Sequence, residues 1–471
     1  MIGRREETKT LNELFDSRES EFVAIYGRRR VGKTYLVRET FEGRFSFRHT
    51  GLPNVAKARQ LDHFLLSLKE AGCAVRRKPA NWFAAFDLLK TTLANRPEAR
   101  KVVFIDEMPW MDTPKSDILP ALESFWNEWA SARKDILLIV CGSASAWIVK
   151  KIFRNRGALH NRVTARILLR PFSLGECELY AAERGLSMTR ADIAECYMAL
   201  GGIPYYWRLL ERGRGVPGNF DHLFFAENAP LRGEFDELYA SLFKDSANHR
   251  RIVKALAERK SGLTRSDIAK ASGLRESGKL TETLEALEQS GFIRTYRAFG
   301  KKKRDAFYQL TDDFTLFHFQ FLDGKTSDPS FWESTSSSPM QSAWRGLAFE
   351  HLCLQHLAQM RRALGISGIH VEAWSWRHVA DDVYPTGVQI DLVLDRSDNV
   401  IDLFEMKWSR GPFTLDGKIA DELALKAETF RAVTGTRKAV HVAMATTAGL
   451  VRNAYRGAVQ SEITLDDLFA E

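Results

Sequence analysis

Two groups of residues in this chain have types and spacings that could do chemistry, and they lie far apart in sequence. The first is Gly27-Arg28-Arg29-Arg30-Val31-Gly32-Lys33-Thr34, which fits GxxxxGK[ST]. A loop of this kind wraps a β-phosphate in backbone N–H groups, and its lysine reaches the β- and γ-oxygens. Its hydroxyl ligates Mg²⁺, and the helix that follows points its N-terminus at the anion. Gly27, Arg30, Val31, Gly32, Lys33, Thr34 and Tyr35 are therefore the expected contacts to ATP. The acidic partner is VVFIDEMPW, where an apolar run delivers Asp106 and Glu107 to the end of a strand. Asp106 would hold Mg²⁺ through water, and Glu107 would orient and polarise an attacking water. A third apolar run ends at Cys141-Gly142-Ser143. Ser143 is then either a polar sensor beside the γ-phosphate or a hydroxyl that caps the next turn. The three consecutive arginines of the loop either meet a neighbouring subunit or a polyanion, or are simply solvated.

The second group is Val388-Gln389-Ile390-Asp391-Leu392-Val393-Leu394 followed by Val400-Ile401-Asp402-Leu403-Phe404-Glu405-Met406-Lys407. These read as a β-hairpin. Ile390, Leu392, Leu394, Phe404, Met406 and Trp408 would form its core face, and Asp391, Glu405 and Lys407 the opposite face. Alternation puts Glu405 beside Lys407. Asp391 lies directly across from Glu405 only if the connecting loop is odd, such as Ser397-Asp398-Asn399; a two-residue loop sends the carboxylates to opposite faces. Core patterning therefore predicts the odd loop. Two carboxylates and a lysine at a strand pair can hold Mg²⁺ or Mn²⁺ and activate water for phosphodiester cleavage. Glu350, in the helix AFEHLCLQHL, is a further candidate metal ligand. His351 and His356 on that helix are five apart, poor spacing for zinc, and read as structural.

The elements that must position these residues follow from patterning. FVAIY (22–26), VVFI (102–105) and ILLIV (136–140) are continuous apolar runs, the mark of strands buried on both faces of a parallel sheet covered by helices. Residues 1–172 read as this α/β core, and 173–246 as a helical lid interrupted by Gly201-Gly202-Ile203-Pro204. Residues 247–325 read as three helices and a hairpin, a winged helix-turn-helix. Its second helix opens on a Thr264-x-x-Asp267 capping box. Arg275, Lys279 and the turn Lys301-Lys302-Lys303-Arg304 supply cations where such a fold meets a duplex backbone, although a winged helix can equally pack on the lid and transmit its state. The serine-rich stretch 326–340 reads as a linker, and 341–471 as a second α/β domain.

Composition sets the outer bounds. With 471 residues, 45% hydrophobic and 27% charged, the chain is globular rather than disordered or fibrous. A net charge of +8 permits a polyanionic partner without identifying one. Five cysteines, an odd number with no CxxC pair, argue against a disulfide framework or structural zinc. No apolar run approaches the ~20 residues that span a bilayer, and the charged start MIGRREE has no signal-peptide core. A cytoplasmic location is expected, with no membrane association.

Taken together, IGRREE, GRRRVGKT, VVFIDEMPW, CGSAS, HNR before LLRPFS, and GGIPYYW resemble the archaeal-type ATPases of the STAND and AAA-like branch of P-loop NTPases, over residues 2 to about 322. The resemblance implies that Arg4 lies near the nucleotide base and that Pro204 touches the nucleotide from the lid. It also implies that Arg162 acts in cis or across a subunit interface, within a homo-oligomer. The hairpin cluster resembles the PD-(D/E)xK nuclease superfamily, with Ile390 in place of the signature proline. The segment that carries it resembles the restriction-endonuclease-like domain often fused to these ATPases. The combined reading is an ATP hydrolase coupled to a metal-dependent nuclease acting on nucleic acid, DNA favoured over RNA. The alternative is a nucleotide-switched scaffold whose last domain only binds. A phosphotransferase is the weakest reading, since no substrate motif accompanies the loop.

Overall fold

The computed structural model describes residues 1–75, 77–154, 161–243, 245–259, 261–296, 299, 306–324, 328–382 and 384–470. The Lys301–Arg304 turn and His160 of the HNR motif lie outside them. The chain divides into two compact units. The first is residues 1–171 with 241–244 and 285–291; the second is the remainder. Among the described residues no helix is long and apolar enough to cross a membrane.

The first unit is built on five parallel strands: β1 (Glu21–Tyr26), β2 (Phe45–Thr50), β3 (Lys101–Asp106), β4 (Ile136–Gly142) and β5 (Ala165–Leu168), in the order β2-β3-β4-β1-β5. Every residue of β3 and β4 is buried, as expected of central strands with helices on both faces. Phe22, Ala24, Val103, Ile105, Leu138 and Val140 pack on one face against Phe64, Trp82, Phe86 and Phe125. The helix Trp82–Ala94 starts where Asn81 accepts from the Ala84 N–H at 2.9 Å. This strand order puts β4 between the strand that feeds the phosphate loop and the strand that carries the acidic pair. Ser143 therefore emerges between the two.

The second unit begins with Leu174–Glu183 and Arg190–Leu200, each opened by a capping box (Ser173 with Glu176, Thr189 with Asp192). Helices Ser246–Ala257, Arg265–Ser272 and Gly278–Gln289, the last of which ends in residues 285–289 of the first unit, precede an antiparallel hairpin. With the short β6 (Leu263–Thr264), strands β7 (Ile293–Tyr296) and β8 (Phe307–Leu310) make a three-stranded sheet ordered β6-β8-β7. Thr264 caps the middle helix by accepting from the Asp267 N–H.

Within the stretch expected as a linker, the described residues 328–340 are packed. Trp332 is fully buried between Phe220, Phe317, Phe321 and Trp344, and its backbone N–H donates to Asp221 at 2.7 Å. The serine run reads as flexible in composition, but Ser338 is the N-cap of the helix Pro339–Gln355, accepting from the Gln341 N–H. That helix is tied to the Arg190–Leu200 helix by a buried pair, Arg345 to Glu195 at 2.7 Å.

The last sheet is mixed. β9 (Val371–His378), β10 (Val388–Arg396) and β11 (Val400–Lys407) run antiparallel, and β12 (Ala439–Thr446) and β13 (Ser461–Thr464) continue parallel to β11. The expected one-sided core is replaced by burial on both faces. Val388, Ile390, Val393, Ile401 and Leu403 pack with Leu423, Ala427 and Phe430 of the helix Gly417–Thr434. Leu392, Leu394, Phe404 and Met406 are buried as well, and Trp408 meets Phe349 of the Pro339–Gln355 helix at 5.7 Å between ring centroids. Ile390 leaves its expected face because the register shifts between Ile390 and Val393, which changes parity along β10.

Candidate functional site

The loop 27–34 takes the backbone conformations its chemistry needs. Gly27 has φ 146, Arg30 φ 69 and Gly32 φ 92. A Cβ on Gly27 would collide with the Leu169 carbonyl oxygen, so both the dihedral and the space require glycine there. Lys33 opens the helix Lys33–Thr40 and is only 5% exposed. Its ammonium donates to the carbonyls of Gly27 (2.9 Å) and Arg28 (2.8 Å). Burial lowers its pKa, opposed by the charges of Glu107 and Asp106. The buried ammonium is thus engaged by the carbonyls of the loop itself. Val31 is buried, Tyr35 is exposed, and the buried Arg4 guanidinium bonds the loop itself, at the Val31 carbonyl (3.2 Å).

Across the sheet, the Thr34 hydroxyl donates to Asp106 Oδ2 at 2.7 Å, and the Glu107 N–H donates to Asp106 Oδ1 at 2.8 Å. Thr34 and Asp106 thus meet at the loop as two oxygen groups that could hold a cation. Glu107 sits at φ 46, ψ 43, in the left-handed region uncommon for a non-glycine and frequent at working positions. Its carboxylate receives the Ser143 hydroxyl at 2.5 Å and the Ser143 N–H at 3.2 Å. Ser143 therefore binds the glutamate, a partnership that strand spacing alone does not reveal. Cys141, behind it, is inert: burial, together with the Asp106 charge, holds its thiol well above the ordinary range.

Arg162 is exposed in the turn before β5, and Pro204 opens the short helix Pro204–Trp207 of the second unit. Lys279 is paired with Asp245 at 2.7 Å.

In the last sheet the odd loop is present. Asp395 faces Ile401 and Leu392 faces Phe404, leaving Ser397-Asp398-Asn399 as the turn, with Asn399 at φ 67. Asp391 lies just beyond the last paired residue, Leu392, at the register shift of β10, and feels the charge of Glu405. Glu405 is 9% exposed, and its Oε1 meets Lys407 at 2.7 Å, as alternation predicts. Its Oε2 meets Lys426 at 2.6 Å, a residue that no motif marks. The sequence signal for Lys426 is slight: it lies beside the buried positions 423, 427 and 430 of an amphipathic helix. The two lysines pull the Glu405 carboxyl below its ordinary value, against burial, which raises it. Asp391 accepts from Gln389 at 3.0 Å and is shifted upward by burial and by Glu405. Glu350 acts on Lys407 through charge. Among the described residues no three His, Cys, Asp or Glu side chains stand close enough to hold a metal ion, so Glu350, Asp391 and Glu405 do not form the expected ready-made site. His351 and His356 are structural, with His351 Nε2 at 2.9 Å from the Thr311 carbonyl and His356 Nδ1 at 2.8 Å from the Leu352 carbonyl.

Residues 1–210 match the family described as "ATPase domain predominantly from Archaea". The chain is 23% identical to the uncharacterized protein MJECL04 of Methanocaldococcus jannaschii over 420 residues, covering 86% of this chain and 87% of that one. The Walker-type ATPase PABY2304 of Pyrococcus abyssi is a similar solved structure, with 15% identity, 68% of this chain and 96% of that chain covered, and a TM-score of 0.49. The ORC2 protein of Aeropyrum pernix, solved with ADPNP and ADP, is similar at 14% identity over 72% of this chain and 96% of that one, with a TM-score of 0.41. The first 210 residues are thus similar to the archaeal-type ATPase domain.

Proposed function

We propose that this protein hydrolyses ATP at the 27–34 loop and couples its nucleotide state to a metal-dependent nuclease-like domain acting on nucleic acid, DNA before RNA. The observation that carries the first half is the hydrogen-bonded chain Thr34–Asp106–Glu107–Ser143 beside the buried Lys33. Lys33 and the loop N–H groups bind the phosphates, and Glu107 accepts the proton of the attacking water. A cation held by Thr34 and Asp106 would neutralise phosphate charge when bound. Arg4 and Pro204 belong to nucleotide sensing in this reading, and Arg162 to an oligomer interface. The three helices and hairpin at 247–325 are read as a winged helix.

The second half is supported by the Glu405–Lys407 ion pair and by Asp391, which lies close enough to Glu405 to feel its charge. The test is a panel of single- and double-stranded DNA and RNA with Mg²⁺ or Mn²⁺, with and without ATP, comparing wild type, Lys33→Ala and Lys407→Ala. Cutting that needs Lys407 and responds to Lys33 is expected. If no substrate is cut and Lys407→Ala behaves as wild type, the nuclease reading fails. The remaining reading is then a nucleotide-switched scaffold, which the second lysine on Glu405 favours.

A further inference from the structure

Glu405 is ion-paired twice. Lys407, from its own strand, takes Oε1 at 2.7 Å, and Lys426, from the Gly417–Thr434 helix, takes Oε2 at 2.6 Å. Two ammonium groups therefore stand at Glu405, facing the charges of Asp391 and, on the Lys407 side, of Glu350. A dication brought to Glu405 would sit within a few ångströms of both ammonium groups, in a half-buried place where like charges are weakly screened and repel. With Lys407 alone the Asp391–Glu405 pair would keep a negative excess, the condition for capturing a metal. Lys426 is not a lysine that merely trails over the surface. Its side chain is 27% exposed, and it lines a small recess with Ile390, Leu403, Phe404, Leu423 and Val442.

The helix that carries Lys426 is also gripped from elsewhere in the second unit. One turn on, the buried Phe430 meets the ring of Phe299 at 5.2 Å, and Phe299 packs against the same apolar core. The Phe299 N–H donates to the Ser375 carbonyl on β9 at 3.0 Å. Phe299 follows β7 of the three-helix and hairpin unit, so a residue of that hairpin is seated on the sheet of the last domain.

We propose that Lys426 is a latch that closes the Asp391–Glu405 pair to divalent metal, and that Phe299, through Phe430, holds the latch shut. This rests on the nuclease-like reading of that pair, but it concerns metal access rather than cutting. Lys426 is a positioning residue: it stands on Glu405 in place of the ion, and withdrawing the hairpin releases its helix. The coupling from the rest of the chain to the site then runs through the hairpin rather than through a free linker.

Mn²⁺ binding to the full-length, nucleotide-free protein, followed by electron paramagnetic resonance, tests this. Lys426→Met keeps the apolar stem and removes the charge. It is expected to bind one more Mn²⁺ per chain than wild type, at least about tenfold tighter at that site, and to lose the gain when Glu405→Gln is added. Phe299→Ala is expected to show the same gain with Lys426 intact. If wild type already binds Mn²⁺ through Glu405 as tightly as Lys426→Met, or if Lys426→Met gains none, the latch is overturned. A gain in Lys426→Met without one in Phe299→Ala overturns the role of the hairpin. A variant that takes up Mn²⁺ and cuts nothing overturns the nuclease reading while the latch stands.

Discussion

Ser143 holds Glu107 with two donors, its hydroxyl at 2.5 Å and its N–H at 3.2 Å, so the end of β4 sets the direction of the carboxylate at the end of β3. The hydroxyl is one charge-assisted bond, and the backbone N–H survives substitution. Ser143→Ala is therefore expected to lower the ATPase kcat by about tenfold, the scale of one such bond, with nucleotide Kd unchanged. Glu107→Gln should cost about 10²–10⁴-fold in kcat, as loss of a general base does, while ATP binding persists. Steady-state hydrolysis and a nucleotide titration on the same preparations check both. A Ser143→Ala variant that loses nucleotide affinity instead would make Ser143 a phosphate contact.

Gly142 tests the same positioning from the backbone. A Cβ there would lie 2.7 Å from Cδ and 2.8 Å from Cγ of Pro109, in a ring that cannot rotate away. Pro109 is two residues from Glu107, so Gly142→Ala should displace the carboxylate. A shift of about 1 Å costs on the order of 10² in rate. The expectation is a kcat loss of that size with thermal stability of the first unit lowered only modestly. Unchanged turnover would show that the Glu107 segment tolerates the push.

Arg345 and Glu195 form a pair at 2.7 Å with side chains 10% and 15% exposed. Removing one partner strands a buried charge. Glu195→Gln should lower the urea midpoint of the second unit by an amount worth about 3 kcal/mol. Replacing both residues with apolar ones of similar volume should restore most of it. Equal loss in the single and double variants would assign the effect to packing rather than charge.

His49 supplies the pH dependence. Burial, with His63 nearby, pulls its pKa from 6.5 to about 3, and its Nδ1 sits 3.0 Å from Ser67 Oγ. The folded state keeps His49 neutral down to about pH 3, whereas the unfolded chain protonates it near 6.5. Between those values the unfolded state binds more protons, so stability falls as pH falls, by about 1.4 kcal/mol per unit. Below about pH 3 this group adds no further loss. Between pH 6.5 and 5.0 its share is about 2 kcal/mol. His49→Phe, packed among Phe47 and Phe64, should remove that much of the slope in urea unfolding followed at the two pH values.

Much of both candidate sites was legible because local patterns carry it. The loop 27–34 and the acidic pair 106–107 are set by short motifs at strand ends. The pairing of Glu405 with Lys407 needs only the two-residue period of a strand, and the odd turn at 397–399 follows from where the apolar residues must point. Trp332 shows the limit: its serine-rich surroundings suggested a linker, yet one large ring can bury a segment that composition marks as loose.

What the sequence determined by itself is therefore the inventory of candidate site residues and the strands that present them, since both depend on neighbours close in the chain. Tertiary structure decided which groups meet across the sheets. The strand order brought Ser143 to Glu107, a helix from 19 residues beyond Lys407 brought Lys426 to Glu405, and a hairpin more than 100 residues earlier brought Phe299 to Phe430. Those contacts depend on how helices cover two sheet faces, and no local period encodes which side chains then come within hydrogen-bonding distance.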